Sequence, residues 1–262
     1  MSEVTLTIEG HIAWLRLSQP PRNTMTPKLM ASFHSRLDEL QHNPQIRALI
    51  VASTGRHFCA GAELTRDVHG EPTSLGGAPG DAARLRELYS PFLRLTELSI
   101  PTVAIVQGAA VGGGLGLACA CDFRVVSPST RFCAPFVRLG IHPGMALTSS
   151  LPALVGLSRA MDMLLTGREV LGEEALAWGL ANRCVEESAL ETAGREIAST
   201  LANGAPAVIR LTRQAVHREL SYNPSAAADV EALTQALTFL SADAKEGVDA
   251  FREKRKPKFS GQ

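Results

Sequence analysis

Apolar and polar residues alternate at the start of the chain, and this pattern predicts paired strands. Every second residue from 4 to 8 is apolar, as expected of a strand with one buried face. Gly10-His11 reads as a turn, and residues 12–17 are again rich in apolar residues. The chain is therefore predicted to open with a β-hairpin.

A helical period follows from residue 26. Thr26-Pro27 predicts a helix N-cap with proline at the first helical position. The apolar residues that follow recur at helical spacing: Leu29, Met30, Phe33, Leu37 and Leu40. Asn43-Pro44 is then expected to end the helix.

Strands and helices alternate through the middle of the chain. Short apolar runs at 48–52 and 102–106 predict buried strands, and a helical period at 85–95 lies between them. Residues 70–80 are rich in Gly, Pro, Ser and Thr, which is typical of a mobile loop. Short strands are also predicted at 123–126 and 131–134.

The pattern becomes mostly helical from residue 147, and the clearest helices are expected at 188–201, 206–220 and 225–240. Strand–helix alternation followed by helices predicts an α/β fold. We place an α/β core at residues 1–200 and a helical region at residues 201–262.

Composition excludes several classes of protein. The 262 residues fit one large domain. Lys and Arg together number 26, as do Asp and Glu, so the bulk charge gives no indication of a nucleic-acid partner. Residues 103–121 are mostly apolar but hold five glycines, which argues against a membrane span. The five cysteines match no zinc pattern, and without a visible targeting segment we expect reduced thiols in a cytoplasmic protein.

Glycine is concentrated in the run 112–116, between a predicted strand and a predicted helix. The first N–H groups of a helix lack internal partners and attract anions. The run does not match the dinucleotide fingerprint or the Walker loop. Its spacing is equally consistent with tight packing of a helix on a sheet.

A second loop of small residues, 58–64, also follows a predicted strand. Two such loops could aim backbone N–H groups at one oxygen atom. Donors of this kind stabilise a developing oxyanion by about 3 kcal/mol each in measured enzymes.

Four segments resemble, in order, the motifs of the crotonase (enoyl-CoA hydratase/isomerase) superfamily. Residues 57–64 resemble F-x-A-G-A/G-D-L, and residues 101–108 with the glycine run and Cys121-Asp122 resemble P-V-I-A-A-V-N-G…GGG…CD. Residues 164–180 resemble L-T-G…E-A…G-L, and residues 251–257 resemble F-x-E-K-R-x-P. The resemblance spans nearly the whole chain.

The resemblance implies a crotonase-like spiral of ββα units with a C-terminal helical trimerisation region. It further implies a homotrimer or a dimer of trimers that acts on an acyl-CoA thioester, with no cofactor beyond the coenzyme A of the substrate. By position, the oxyanion hole would consist of the N–H groups of Ala60 and Gly113. Substrate contacts would come from Arg22, Ala62, Leu64, Phe136, Met145, Phe251 and Lys254.

The chain departs from the family where hydratases carry their glutamates, because those positions are Gly116 and Phe136. Gly144 stands where related isomerases carry an aspartate. Hydration needs a base to activate water and an acid to protonate the α-carbon, and each contributes about 10²–10⁴-fold. We therefore predict that hydration of a simple enoyl-CoA is weak or absent.

Few side chains could replace these groups. His142 is a candidate because histidine titrates near neutral pH, and Glu63 adjoins the oxyanion loop. Other candidates are Asp67, His69, Glu87 and Cys133. Two alternatives stay open: an acyl-CoA-binding protein without catalysis, and a hydrolase of C–C bonds on the same fold that uses His142.

Overall fold

A β-hairpin opens the chain, as the alternation predicts. The computed structural model describes residues 3–41, 43–62, 81–219 and 224–260. Strand β1 (Val4–Glu9) pairs antiparallel with β2 (Ile12–Leu17), and Glu9 lies opposite Ile12. Gly10 turns the chain between them at φ +60°.

The first helix, α1 (Pro27–Gln41), begins where its cap is predicted. The N–H of Leu29 donates to Oγ1 of Thr26 at 3.1 Å, so the threonine satisfies one of the helix's unpaired donors. The five apolar residues at helical spacing are the buried ones. They pack the helix onto the sheet that the hairpin starts.

The larger sheet has six strands in the order β1-β2-β3-β4-β6-β9, counted over the described residues. Its remaining strands are β3 (Ala48–Ser53), β4 (Thr102–Val106), β6 (Phe123–Val126) and β9 (Arg183–Cys184). All pairings after β1-β2 are parallel. Every residue of β3 and β4 is buried because helices cover both faces, which explains their continuous apolar runs.

A second sheet of three described strands runs in the order β5 (Ala109–Val111), β7 (Arg131–Cys133), β8 (Glu169–Leu171). Strand β4 belongs to the large sheet, β5 to the small one, and helix α3 (Gly113–Cys119) follows. The pair β6-β7 repeats this succession before a 3₁₀ turn at Pro135–Leu139. The chain thus winds through ββα units, and this is the predicted spiral.

Ten α-helices lie in the described part of the chain. Besides α1 and α3, they are α2 (Ala82–Glu97), α4 (Leu147–Val155), α5 (Leu157–Thr166), α6 (Gly172–Trp178), α7 (Leu190–Asn203), α8 (Pro206–Glu219), α9 (Pro224–Phe239) and α10 (Ala242–Glu253). Helices α7 to α9 match the predicted helices. Helix α7 packs on β3, β4 and β6 and continues through residue 200, so the boundary placed there stays a prediction.

Helix α8 is fixed to the core through the buried carboxylate of Asp122. This carboxylate accepts hydrogen bonds from Nε of Arg213 at 2.8 Å and Nε2 of His217 at 2.9 Å, and from the N–H of Thr102 at 2.8 Å. Burial by itself raises the pKa of Asp122, but the bond from His217 and the charge of Arg213 bring this pKa below its ordinary value. Two residues of α8 are thus hydrogen-bonded to a carboxylate just before β6.

No helix in the described ranges combines the length and the apolarity that a membrane crossing requires. The predicted loop at 70–80 falls outside the described residues.

Candidate functional site

The two small-residue loops lie side by side. The N–H of Cys59 donates to the carbonyl of Ala109 at 3.2 Å, and the N–H of Val111 donates to the carbonyl of Cys59 at 3.0 Å. The loop after β3 therefore runs parallel to β5, which leads into the glycine run. The sequence predicted both loops, and the fold brings them into contact.

Glycine is required at the contact between these loops. A Cβ on Gly61 would lie 2.5 Å from the carbonyl oxygen of Val111 and 3.2 Å from the nitrogen of Gly113. Gly61 also has φ +77°, a conformation that other residues rarely adopt. On the facing side, a Cβ on Gly114 would overlap the carbonyl of Cys59. The backbones thus approach as closely as glycine allows.

The amide of Ala60 does not match its predicted role. Its N–H donates to the carbonyl oxygen of Arg22 at 2.9 Å, so this donor is already engaged. In contrast, the N–H groups of Ala62 and Gly113 have no acceptor among the described residues. Because Gly61 turns the chain, the amide of Ala62 does not repeat the direction of the amide of Ala60. The prediction for Ala60 therefore needs correction.

Gly113 is the first residue of α3, and Gly112 precedes it at φ +54°. Its N–H points out of the helix end, where the helix dipole places partial positive charge. The side chains of two methionines pack next to Gly113. A Cβ on Gly113 would overlap Sδ of Met25 and lie 3.6 Å from Cγ of Met145. This amide therefore lies next to apolar side chains.

Packing fills the space that carboxylates would need. A Cβ on Gly116 would overlap the Cβ of Met145, and a Cβ on Gly144 would lie 2.5 Å from the hydroxyl of Tyr89. The ring of Phe136 is buried, with its Cζ 3.8 Å from the place of a Cβ on Gly112. Neighbouring side chains thus occupy the space that a carboxylate would need at positions 116 and 144, and the buried ring of Phe136 itself fills the third position.

His142 is half-buried, and one of its ring nitrogens is engaged. Nδ1 lies 2.7 Å from the carbonyl oxygen of Pro143. Since a carbonyl oxygen can only accept, Nδ1 carries the proton, and Nε2 is the nitrogen left for proton transfer. The main chain of His142 is held from α9, by Oγ1 of Thr238 at 2.9 Å and Nε2 of Gln235 at 2.7 Å.

A buried polar cluster that was not predicted from the sequence lies beside Met145 and is formed by Tyr89, Glu231 and Gln235. Glu231, on α9, is only 1% exposed. Its carboxylate accepts from the N–H of Ala146 at 2.5 Å and the N–H of Thr148 at 2.7 Å. Burial raises the pKa of Glu231 to about 7.

Tyr89 donates its hydroxyl proton to Oε1 of Gln235. Burial, and then the nearby Glu231, hold the pKa of Tyr89 far above its ordinary value, so this phenol stays protonated. One sequence signal could have indicated the cluster: Glu231 and Gln235 share the helical face of the buried Ala228 and Ala232.

Comparisons with known proteins agree with this architecture. Residues 7–262 match the family model described as enoyl-CoA hydratase/isomerase. The chain belongs to the enoyl-CoA hydratase/isomerase family. It is an acyl-CoA-transforming enzyme of that family, and its fold is the crotonase spiral.

Relatives in the family carry different activities in their names. The chain is 32% identical to a probable enoyl-CoA hydratase of Bacillus subtilis over 100% of both chains. It is also 32% identical to the 1,2-epoxyphenylacetyl-CoA isomerase of Escherichia coli, over 97% of each. A solved enoyl-CoA hydratase/isomerase of Pseudoalteromonas atlantica superposes with a TM-score of 0.85 at 30% identity, covering 98% of this chain and 100% of that one.

The other candidate residues named from the sequence are either exposed or outside the described residues. Phe251 is 66% exposed near the end of α10, and Lys254 is exposed just after this helix. Arg22 is exposed, although its carbonyl holds the amide of Ala60. Glu63 and Leu64 fall outside the described residues, as do Asp67 and His69, while Glu87 is exposed on α2.

Positive charge collects beside the first loop of this family member. His57 is close enough to Arg56, Arg131 and Arg22 that their charges add to the effect of burial, which comes first in lowering the pKa of His57. Its Nδ1 is buried without a hydrogen-bond partner in the described part of the chain. Three arginines thus lie within electrostatic range of one histidine near the loop of Ala62.

The cysteines near the site are inert thiols. Burial raises the pKa of Cys59 to about 12 and that of Cys133 to about 11, and Cys133 donates its proton to the carbonyl of Gly167. A nucleophilic role for Cys133 would need a thiolate. No group of three metal-ligating side chains occurs within the described ranges.

Proposed function

We propose that the protein binds an acyl-CoA thioester with its carbonyl oxygen between the N–H groups of Ala62 and Gly113, and that it stabilises the thioester enolate there. The observation that carries this proposal is the contact between the two loops, at which these two amides lack acceptors among the described residues. Ala62 takes the role that the sequence assigned to Ala60.

The test compares two ligands that differ only at the carbonyl. Butyryl-CoA carries a thioester oxygen, whereas S-butyl-CoA is a thioether without it. Calorimetry is expected to show about tenfold tighter binding of the thioester, because two backbone hydrogen bonds form only with the oxygen. Equal dissociation constants would rule out the oxyanion hole, and failure of both to bind would rule out the acyl-CoA site.

We further propose that Arg22, Arg56 and Arg131 bind the phosphates of coenzyme A. The support is their shared effect on His57 and the exposure of Arg22 and Arg56, since clustered guanidinium groups bind phosphate well. Changing Arg56 to Ala is expected to weaken binding of coenzyme A more than that of pantetheine thioesters, which lack these phosphates. Equal weakening of both would contradict the assignment.

The reaction is proposed to be a proton shift or elimination through the enolate rather than simple hydration. Gly116, Phe136 and Gly144 offer no acid or base, and Nε2 of His142 is the group proposed to move a proton. An E. coli relative is named as an isomerase, in line with this proposal. Turnover of a panel of enoyl-CoA esters that His142→Ala does not reduce would exclude this role.

A second candidate is an acyl-CoA-binding protein without turnover. It is favoured by the side chains of Met145 and Tyr89, which occupy the space of the usual carboxylates. Binding of acyl-CoA with neither turnover nor exchange of the α-proton would identify this candidate. The C–C bond hydrolase on the same fold would instead turn over a diketone that carries no coenzyme A.

We also propose self-association as a homotrimer or dimer of trimers, in which Phe251 and Lys254 reach the coenzyme A of a neighbouring copy. Leu157, Met161 and Leu165 form an apolar face of α5 and are 70%, 46% and 62% exposed, which suits an interface between copies. Sedimentation equilibrium tests this proposal, and a monomer at micromolar concentration would contradict it.

A further inference from the structure

The carboxylate of Glu231 binds the turn that leads into α4 through hydrogen bonds. One carboxylate oxygen accepts from the N–H of Ala146, and the other accepts from the N–H and the hydroxyl of Thr148, at 2.7 and 2.5 Å. These amides belong to the first turn of α4, whose N–H groups have no partner inside the helix. A carboxylate from α9 thus caps α4 from the outside.

The turn at residues 145–146 has an unusual backbone conformation. Met145 and Ala146 have φ +64° and +57°, in the left-handed region that is unfavourable for residues with a Cβ. Such a conformation persists only where surrounding contacts hold it. The bonds from Glu231 to Ala146 and Thr148 are contacts of this kind, and they fall directly after Met145.

The turn determines where the Met145 side chain lies. Its Cβ fills the space over Gly116, and its Cγ lies 3.6 Å from the place of a Cβ on Gly113. Gly113 supplies one of the two amides proposed to hold the thioester oxygen. Met145 therefore meets the acyl carbons closest to the carbonyl, rather than the far end of the chain.

We propose that Met145 excludes acyl groups branched at the α-carbon and that Glu231 is the positioning residue that holds Met145 in place. This inference rests on the proposed function, because it needs the thioester next to Gly113. It assigns the substrate class as acyl-CoA thioesters that are linear at the α-carbon. Glu231 acts through the turn and has no contact with the acyl group.

Butyryl-CoA and isobutyryl-CoA test the inference, since they have the same atoms and differ only in α-branching. The wild-type protein is expected to bind butyryl-CoA about tenfold more tightly, the usual scale for one misplaced methyl group. Met145→Ala should reduce this preference to about twofold. Glu231→Ala and Glu231→Gln should reduce it in the same direction, because Gln leaves one backbone N–H of the turn without an acceptor.

A double variant separates positioning from general stability. In the Met145→Ala background, Glu231→Gln should produce no further change in the ratio of the two dissociation constants. Asp229→Asn is the matched control, since Asp229 lies on the same helix but is exposed and paired with Arg86, and it should keep the wild-type ratio.

Three results would overturn the inference: a wild-type ratio in Met145→Ala, a wild-type ratio in soluble, folded Glu231→Gln, or a full additional effect in the double variant. A merely structural role of Glu231 would lower the melting temperature and leave the ratio unchanged. Failure of the proposed function is distinguishable, because the wild-type protein would then bind neither ester.

Discussion

At the scale of single residues, glycine determines how closely the two loops of the site approach. Gly61 and Gly156 both have a positive φ, +77° and +81°. A Cβ on Gly61 would contact the backbone of Val111 and Gly113, whereas nothing lies within 4 Å of a Cβ on Gly156. The two positions therefore separate the cost of the conformation from the cost of the clash.

Gly156 combines its positive φ with ψ 159°, a region that residues with a Cβ rarely occupy, so Gly156→Ala is expected to lower the free energy of unfolding by about 2 kcal/mol. Gly61→Ala adds displacement of the second loop, so we expect a loss of about 3 kcal/mol or more together with loss of thioester binding. Urea unfolding measures the loss of stability, and calorimetry measures thioester binding. Equal losses in the two variants would show that the loops separate without cost.

Glu231 makes stability depend on pH with a defined sign. Burial raises the pKa of this carboxyl from 4.5 to about 7 in the folded protein, so between these values the folded state binds more protons than the unfolded state. The free energy of unfolding therefore falls as pH rises through this window. The gap in pKa corresponds to about 3 kcal/mol.

Urea unfolding from pH 4 to pH 8 tests this dependence by comparison with Glu231→Gln, which has no titrating group at this position. The wild-type advantage over the variant is expected to shrink by about 3 kcal/mol across the range. Asp229→Asn should reproduce the wild-type slope. A difference between wild type and Glu231→Gln that is constant with pH would contradict the raised pKa.

At the scale of elements, length decides what the sequence could predict. The hairpin β1-β2 and the buried β3 and β4 have five or six residues each, enough for alternation or a continuous apolar run to register. Strands β5, β8 and β9 have three, three and two, too few for any period. They form through pairing with neighbours, and none of the three was predicted from the sequence, although β7, which is as short as β5, was predicted at 131–134.

The site could likewise be predicted from the sequence only in part. Its two loops follow from their glycines and their resemblance to the family motifs, but the amide predicted as the donor of the first loop, that of Ala60, is already bonded to the carbonyl oxygen of Arg22. The positive φ at Gly61, which redirects the next amide, leaves no sequence signature. Glu231 was missed because it meets Ala146 across 85 residues of chain, and no local pattern reports such a contact.

Helix α8 offers a test at this scale, because Arg213 makes several of the hydrogen bonds that join it to the core. Arg213 donates to Asp122 and to the carbonyl oxygen of Leu95 at 3.1 Å near the end of α2, and it is 9% exposed. Arg213→Ala leaves buried acceptors without their donor, which costs about 3–5 kcal/mol.

The matched control for Arg213 is Arg210→Ala, an exposed arginine on the same helix, which is expected to change stability by less than about 0.5 kcal/mol. Thermal and urea unfolding of both variants give the comparison. If Arg213→Ala proves as stable as the control, the network around Asp122 contributes little to holding α8.

At the scale of the whole molecule, the two loops that carry the proposed oxyanion donors are in contact, while the positions at which the family carries its acid and base are filled by packing. Phe136 comes from the 3₁₀ turn, Met145 from the turn before α4, and Tyr89 from α2. They come from three elements, and each lies beside different glycines of the site: Phe136 beside Gly112, Met145 beside Gly113 and Gly116, and Tyr89 beside Gly144. Putting a single glutamate at position 116 is therefore not enough to restore hydration, because Met145 occupies the space for its Cβ.

Two assays with acyl-CoA esters distinguish hydration from enolate formation. Absence of both hydratase carboxylates is expected to lower hydration of crotonyl-CoA by about 10⁴-fold or more relative to an enzyme that has them. Exchange of the α-proton of butyryl-CoA with deuterium oxide reports enolate formation alone, and it needs only the oxyanion hole and one base. We expect exchange without hydration, and exchange should be lost in His142→Ala. Hydration at an ordinary enzymatic rate would contradict this expectation and would require an acid and a base other than the residues at positions 116, 136 and 144.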